Sequence, residues 1–503
     1  MGIPSYFRKI VKAYPNCMLQ TPPSKASMLC FDFNCLIYRC LRSPSLPPYD
    51  ENEDWEKHLL KEVASCVKEV WLAAGKPSQV FLGVDGVVPM AKIRQQRVRR
   101  FKSAWMRKSD GWDTNAITPG SLFMEKLTAM LHKEATKHGK GWVVSGSDES
   151  GEGEHKILTY LRNFDTTALS GPVIVYGLDA DLILLTMLLS EEKGLSLFLL
   201  REKQEFGFDK NQVKVEGAAA QEYSFLSIQE LKSLVLVTDF TSALNYVALM
   251  NLMGNDFLPH SLTHKLGEDG HDCVLREMRR MADSSNWLID SEGGITLPIL
   301  RSIFARWAKD ETTRMENMIH KKQEQAKRGL LKGMDEMEGL PLQWNVEACL
   351  LQKGRIRSTW RELYWKWMHP NVDKQKVCEE YLRGFQWVID YYTGKPVNKQ
   401  WLYPYWIPPL WSDLENIHSF PFLRDQGISK EKEPEGQEQL AMVLPLSSWS
   451  LIRDTSLRTL PYKCPQLWPL EFSFFSAGRK WLWECEALIP VLTAGRLRHI
   501  LNK

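Results

Sequence analysis

Ten cysteines are spread from position 17 to position 485 without a single CxxC pair. That spacing argues against a structural zinc knuckle and a disulfide scaffold, and implies reduced thiols in an intracellular setting. A signal-peptide core is also missing from the opening MGIPSYFRK, and Tyr6 stands where a myristoylation signal needs Ser or Thr. The longest apolar region, Val173 to Leu189, is interrupted by Asp179 and Asp181, so it reads as a buried strand and helix and not as a membrane span. Net charge is scarce as well: 64 basic and 61 acidic residues leave +3. Such a weak global field will not attract a polyanion, so a nucleic-acid partner would need a local basic patch. Internal repeats are absent.

What is present is a chain of 503 residues, more than one ordinary core accommodates, with 44% hydrophobic and 25% charged residues. One large core with a second segment packed on it is expected. Three short apolar runs lead to a carboxylate. Ser27–Phe31 precedes Asp32, Val80–Val84 precedes Asp85, and Val173–Tyr176 leads through Gly177 and Leu178 to Asp179. Runs this short, bounded by turn residues, predict buried strands. Helical patterns lie between them at Trp55–Ala74 and Ser121–His138, the second entered through Thr118-Pro119-Gly120. Alternating strand and helix predicts an α/β fold with a mostly parallel central sheet flanked by helices. Ligands of such sheets bind beyond the carboxyl ends of the strands, where these aspartates would stand.

Residues 1–309 are assigned to this core, 310–340 to a charged helical linker or projecting insertion, and 341–503 to a helical second segment packed around the core. That last segment is aromatic-rich, holding twelve of the nineteen tryptophans. Within it, the polar stretch Arg424–Glu438 reads as a mobile surface loop.

The acidic residues carry the chemistry. Glu152 and Glu154 lie in the glycine-flanked string GEGEHK, Asp179 and Asp181 in GLDAD, and Asp256 in MGNDF. With Asp32 and Asp85 they make seven carboxylates, which a fold rarely gathers unless a divalent cation neutralises them. Hard oxygen donors suit Mg²⁺, with Mn²⁺ a substitute, and two such ions about 4 Å apart are a recurring device of phosphodiester hydrolysis. The spacing of two in each pair suits turns at strand ends, where alternate side chains can converge. His155 is read as a structural neighbour of Glu154.

A second group begins seven residues after Asp85, in KIRQQRVRRFK at 92–102. On a helix, Lys92, Gln96, Arg99 and Arg100 fall on one face and offer cationic and amide donors to a phosphate.

These strings resemble the 5′→3′ exoribonuclease (XRN) family. The resemblance is carried by MGIPSYFRKIVKAYP at the start, FDFN at 31–34, VDGVVPMAKIRQQRVRRFKSAW at 84–105, SGEGEHKI at 150–157, YGLDADLILL at 176–185 and MGNDFLPH at 253–260. It continues through YLRGFQWVIDYYTG at 381–394 and RKWLWECEALIP at 479–490, so it covers nearly the whole chain. It implies a PIN/flap-nuclease-like core. Asp32, Asp85, Glu152, Glu154, Asp179, Asp181 and Asp256 would be the catalytic metal carboxylates, and Lys92, Gln96, Arg99 and Arg100 the pocket for an RNA 5′-monophosphate. The N-terminal segment and the turn near Pro89 would exclude duplex. The implied activity is Mg²⁺-dependent, processive degradation of single-stranded RNA to nucleoside 5′-monophosphates, as in RNA turnover.

Two positions depart from the family pattern. Tyr38 stands where the family has a base-stacking histidine, and Lys399 replaces one tryptophan of the pair ahead of Tyr-Pro, leaving Trp401 as the second stacking candidate. The chain resembles a short member without the long C-terminal extension. It is expected to be monomeric and not membrane-bound and, for want of a basic localisation cluster, cytoplasmic, a nuclear role being the alternative. Decapping or other decay partners leave no mark in the sequence. The rival readings are a flap endonuclease and a catalytically silent RNA-binding protein; loss of any carboxylate would have favoured the silent one.

Overall fold

The computed structural model describes residues 5–51, 54–106, 111–203, 223–330, 334–368, 372–417 and 431–503. Its centre is a seven-stranded sheet of β1 (Met18–Leu19), β2 (Met28–Asp32), β3 (Gln79–Gly83), β4 (Trp142–Ser145), β5 (Val173–Tyr176), β6 (Leu197–Glu202) and β7 (Tyr223–Ser227). The order is β1-β7-β6-β5-β2-β3-β4. The five strands from β6 to β4 pair in parallel, while β7 runs antiparallel to both β6 and β1. The three strands expected from the apolar runs are therefore adjacent at the middle of the sheet.

Burial on both faces explains why these runs are continuously apolar. Met28 and Cys30 of β2 join Val173 and Val175 of β5 in one core, while Leu29 and Phe31 join Ile174 and Tyr176 in the core on the opposite face. Helices α1 (Tyr6–Ala13), α2 (Asn34–Cys40), α3 (Trp55–Ala73), α4 (Met90–Met106), α5 (Leu122–His138), α6 (Gly153–Asn163), α7 (Asp181–Lys193), α8 (Ile228–Leu234) and α9 (Phe240–Met253) surround the sheet. α3 and α5 match the two helical patterns, and Ser121 caps α5 by accepting from the Met124 amide. The first crossover goes from β2 to β3 and the later return places β5 on the other side of β2, so the order reverses at β2. Asp32, the last residue of β2, stands at that switch point.

α4 is not a free basic helix. Met90, Ile93, Val98 and Phe101 are buried in a third core shared with Leu440, Val443, Trp468 and Leu497 from the C-terminal part of the chain. Arg97 is 2% exposed; it donates to the carbonyls of Met442 and Leu467 and lies against the rings of Phe101 and Trp468. The second segment thus fixes the orientation of the helix.

One expectation is corrected, and another falls partly outside the described residues. The charged stretch after 310 forms a helix, Glu311–Arg328, but it does not project: Met315, Met318, Ile319 and Lys322 are buried. Lys322 pairs with Glu347 at 2.9 Å, with side chains only 2% and 1% exposed. A charge-rich sequence conceals this face because its apolar content is carried by methionines at helical spacing. The Arg424–Glu438 stretch lies outside the described residues up to 430. Its end is ordered, since Glu435 and Glu438 form a capping box on the helix Gly436–Val443.

Candidate active site

One cavity of about 150 Å³ at the carboxyl end of the parallel strands is lined by Asp32, Asp85, Glu152, Glu154, Asp179 and Asp256. Lys92, Gln96, Arg99, Arg100 and Tyr38 line the same cavity. Eleven residues singled out in the sequence thus meet at one place, although 224 positions separate the first from the last.

The elements that present them differ in part from expectation. Asp32 ends β2, and Asp85 follows β3. Glu152 and Glu154 do not stand at a strand end: Glu152 is the N-cap of α6 and Glu154 lies in its first turn, seven or more residues beyond β4. Asp181 likewise begins α7. Helix N-termini favour carboxylates, so the macrodipole helps hold these charges. Asp85 reaches across to the α6 terminus and accepts from the Gly153 amide at 2.7 Å, while its own amide donates to Asn34 Oδ1. Glycine at 153 is required by this approach. A Cβ there would lie 2.6 Å from the Gly83 carbonyl oxygen and 2.8 Å from an Asp32 oxygen.

Asp181 does not reach the cavity wall; it is 3% exposed, and one of its carboxylate oxygens is buried without a hydrogen-bond partner. Burial, and next the Asp256 charge, push its carboxyl up to about 7. Burial and the Asp85 and Asp179 charges raise Asp32 well above the ordinary range, and burial with Glu152 raises Glu154 in the same direction. Like charges forced together out of water make a site that favours protons or cations.

Lys92 supplies the positive charge. Its ammonium lies 2.5 Å from Glu152 and 2.7 Å from Asp256. Burial opposes charging it, yet Asp256, Glu152 and Glu154 hold its pKa well above the usual value. Burial alone would raise Asp256, but Lys92 reverses this and holds it down to about 2. In this structure Lys92 is therefore paired with the carboxylate cluster while lining the same cavity as Gln96 and Arg99.

Arg100 is likewise engaged, donating to Asn115 Oδ1 at 2.8 Å and to the Ile117 carbonyl at 3.2 Å. Gln96 has its side-chain oxygen bonded by Gln439, which leaves its NH₂ group as the donor available to the cavity. Gln96 and Arg99 are the members of the expected face best placed to meet an anion.

Tyr38 lines the cavity and is 37% exposed, so its ring is open to solvent. Trp401 is a correction. It is 7% exposed, packs on Trp387 at 5.3 Å between ring centres, and sits against Gly384, where a Cβ would lie 2.5 Å from its ring. Its sequence context left a stacking and a core role equally open; burial makes it a core residue.

Sequence reasoning missed Tyr391 and Lys156. Tyr391 donates to Glu152 at 2.9 Å and packs its ring, tilted, on His155 at 3.8 Å between ring centres. Buried Lys156 donates to the carbonyls of Val84 and Gly146, bracing the turn that carries Asp85. Both lie in strings already singled out, GEGEHK and YLRGFQWVIDYYTG, but their roles depend on partners in other elements, which the strings do not reveal. Burial lowers the His155 imidazole to about 3, and its Nε2 lacks a hydrogen-bond partner. His155, Glu152 and Glu154 each present a ligand atom within 4.8 Å of the others. The carboxylate oxygens, including the orphaned Asp181 oxygen, fit a hard divalent cation, whereas His155 offers a nitrogen that such an ion does not prefer.

The model of the XRN 5′-3′ exonuclease N-terminus matches residues 1–203, and that of the Xrn1 helical domain matches residues 358–503. The 5′-3′ exoribonuclease 2 homolog of Drosophila melanogaster is 22% identical over 99% of this chain and 70% of its own length. Human 5′-3′ exoribonuclease 1 is 26% identical over 100% of this chain and 34% of its own, so the chain spans about a third of that relative. Among solved structures, the catalytic core of Rad2 in complex with DNA substrate aligns at a TM-score of 0.34 and 13% identity, over 78% of this chain and 96% of that one. With XRN models matched over residues 1–203 and 358–503 and 5′-3′ exoribonuclease relatives aligned along nearly all of this chain, the chain belongs to the XRN 5′-3′ exoribonuclease family.

Proposed function

We propose that this chain is a Mg²⁺-dependent 5′→3′ exoribonuclease that takes single-stranded RNA with a 5′-monophosphate and releases nucleoside 5′-monophosphates processively. The supporting observation is one cavity lined by six carboxylates together with Gln96 and Arg99. Asp32, Asp85, Glu152, Glu154, Asp179 and Asp256 would hold the cation, with Asp181 behind them. A bound divalent cation would supply charge neutralisation at the scissile phosphate and an acidified water.

The chain's own groups account for orientation and selection. Arg99 and the Gln96 NH₂ group would bind the 5′-phosphate, and Tyr38 would stack on a base near the opening. A triphosphate or cap would be too bulky for that pocket. A 5′-hydroxyl would leave the donors unsatisfied.

The test is single-stranded RNA with a labelled 5′-monophosphate, incubated with Mg²⁺ and resolved by size. Labelled mononucleotide should appear first, and Asp32→Asn should abolish it while the protein stays folded. Labelled oligonucleotides appearing first, or an active Asp32→Asn protein, would refute the reading.

A further inference from the structure

α4 has a second polar face. Arg94, Gln95 and Lys102 line a separate cavity of about 360 Å³, together with Arg479, Trp406 and Trp483. Arg99 and Asp256 line both this cavity and the carboxylate-lined one, so the two adjoin. The volume falls within the roughly 300–1,000 Å³ of small-ligand sites.

Its buried polar groups are incompletely satisfied. Arg479 is 4% exposed and its Nε lacks a partner; Arg94 Nε and Gln95 Oε1 are buried in the same condition. Arg479 is set by His260, whose Nε2 accepts from one terminal nitrogen. Burial holds the His260 imidazole neutral, as that acceptor role requires. Arg94 is set by the Tyr405 carbonyl at 2.7 Å and by Trp406, whose ring centre lies 4.4 Å from the guanidinium carbon. Orphaned buried donors are destabilising unless a ligand meets them.

The charges favour an anion. Arg94, Arg99, Lys102 and Arg479 face the cavity. Of the acids there, Asp256 is bound to Lys92, and Glu484 accepts from the Lys480 and Trp481 amides at 2.8 and 3.2 Å. Glu486 remains as the counter-charge. Trp483 is 52% exposed, an uncovered indole beside a cluster of cations. Cationic donors beside an open aromatic ring match a phosphate joined to a base.

We propose that this cavity is a subsite for a nucleoside 5′-monophosphate, with Arg94 and Arg479 toward the phosphate and Trp483 beside the base. That this ligand is the departing product rests on the proposed reaction; the cavity's affinity for a mononucleotide does not.

The test is equilibrium dialysis of the full chain against labelled AMP in EDTA, without RNA. The wild-type chain should bind AMP saturably. Arg94→Met should weaken binding about tenfold or more, as loss of a charged donor does. Trp483→Ala removes only an exposed side chain, so its fold should be unaffected; it should weaken AMP several-fold and leave first-turnover RNA cleavage unchanged. Orthophosphate should compete far less well than AMP. Equal AMP affinity in the wild type and both variants would overturn the proposal. So would loss of binding confined to Gln96→Ala, which assigns the nucleotide to the neighbouring cavity, or equal competition by orthophosphate. AMP binding that depends on Arg94 in a protein that does not cleave RNA would uphold the subsite and remove the reaction.

Discussion

Lys92→Met tests the electrostatic account of the site. The ammonium makes contacts of 2.5 and 2.7 Å to Glu152 and Asp256, whose side chains are 4% and 7% exposed. Met replaces the aliphatic stem but not the charge, leaving buried carboxylates without their counter-ion. Breaking a buried pair by removing one partner costs about 3–5 kcal/mol. At roughly 2 °C per kcal/mol for a large domain, the melting temperature in EDTA should fall by about 6–10 °C. Saturating Mg²⁺ adds about 2.7 kcal/mol at a hundredfold excess over Kd. It should stabilise the variant more than the wild type, because in the wild type the cation competes with Lys92 for the same oxygens. Calorimetry of both proteins, with and without Mg²⁺, reads all four values. A variant as stable as wild type in EDTA, or one gaining no more than wild type from Mg²⁺, would refute the reasoning.

Lys322→Met should cost about 3–5 kcal/mol by stranding Glu347, and adding Glu347→Gln should recover a large part; urea unfolding of single and double variants decides, and additive losses would contradict the pairing. Gly153→Ala should displace the α6 terminus from Gly83 and Asp32, lowering both stability and Mg²⁺ affinity, which a thermal titration with Mg²⁺ reads. Arg314 donates two hydrogen bonds, of 2.6 and 2.7 Å, to Asp269, and chiefly these hold that carboxyl at about 2, below its ordinary 3.8. A depressed folded-state pKa gives stability that is full above the unfolded value and lost as pH falls through the folded one. Because the Asp269 side chain is 45% exposed, Asp269→Asn should cost only about 1 kcal/mol at pH 7. The gap from wild type should close between pH 4 and pH 2 in urea-midpoint measurements.

Legibility in the sequence followed how local the physical cause was. β2, β3 and β5 could be read because a strand buried on both faces must be apolar throughout, whatever packs on it. The carboxylates could be read because glycine-flanked acidic strings are improbable without a shared purpose. The glycine at 153 was visible too, although its reason, contact with Gly83 and Asp32, was not. The strand-end placement of Glu152 and Glu154 failed because two residues at that spacing fit a helix N-terminus equally well. The stacking role of Trp401 failed because an aromatic signal is the same for a binding platform and a core residue.

The sequence by itself thus determined the parallel α/β centre, the acidic residues and the helical phase of α4. Those depend on periodicity and residue type, which act over a few positions. Only the tertiary structure decided which charges meet. It set Lys92 among the carboxylates, tied Arg100 to Asn115, and turned Arg94 and Arg479 into a second cavity. It also buried the face of the 311–328 helix against the rest of the chain. Such choices depend on distances of a few ångströms between residues as many as 385 positions apart, and no local pattern encodes them.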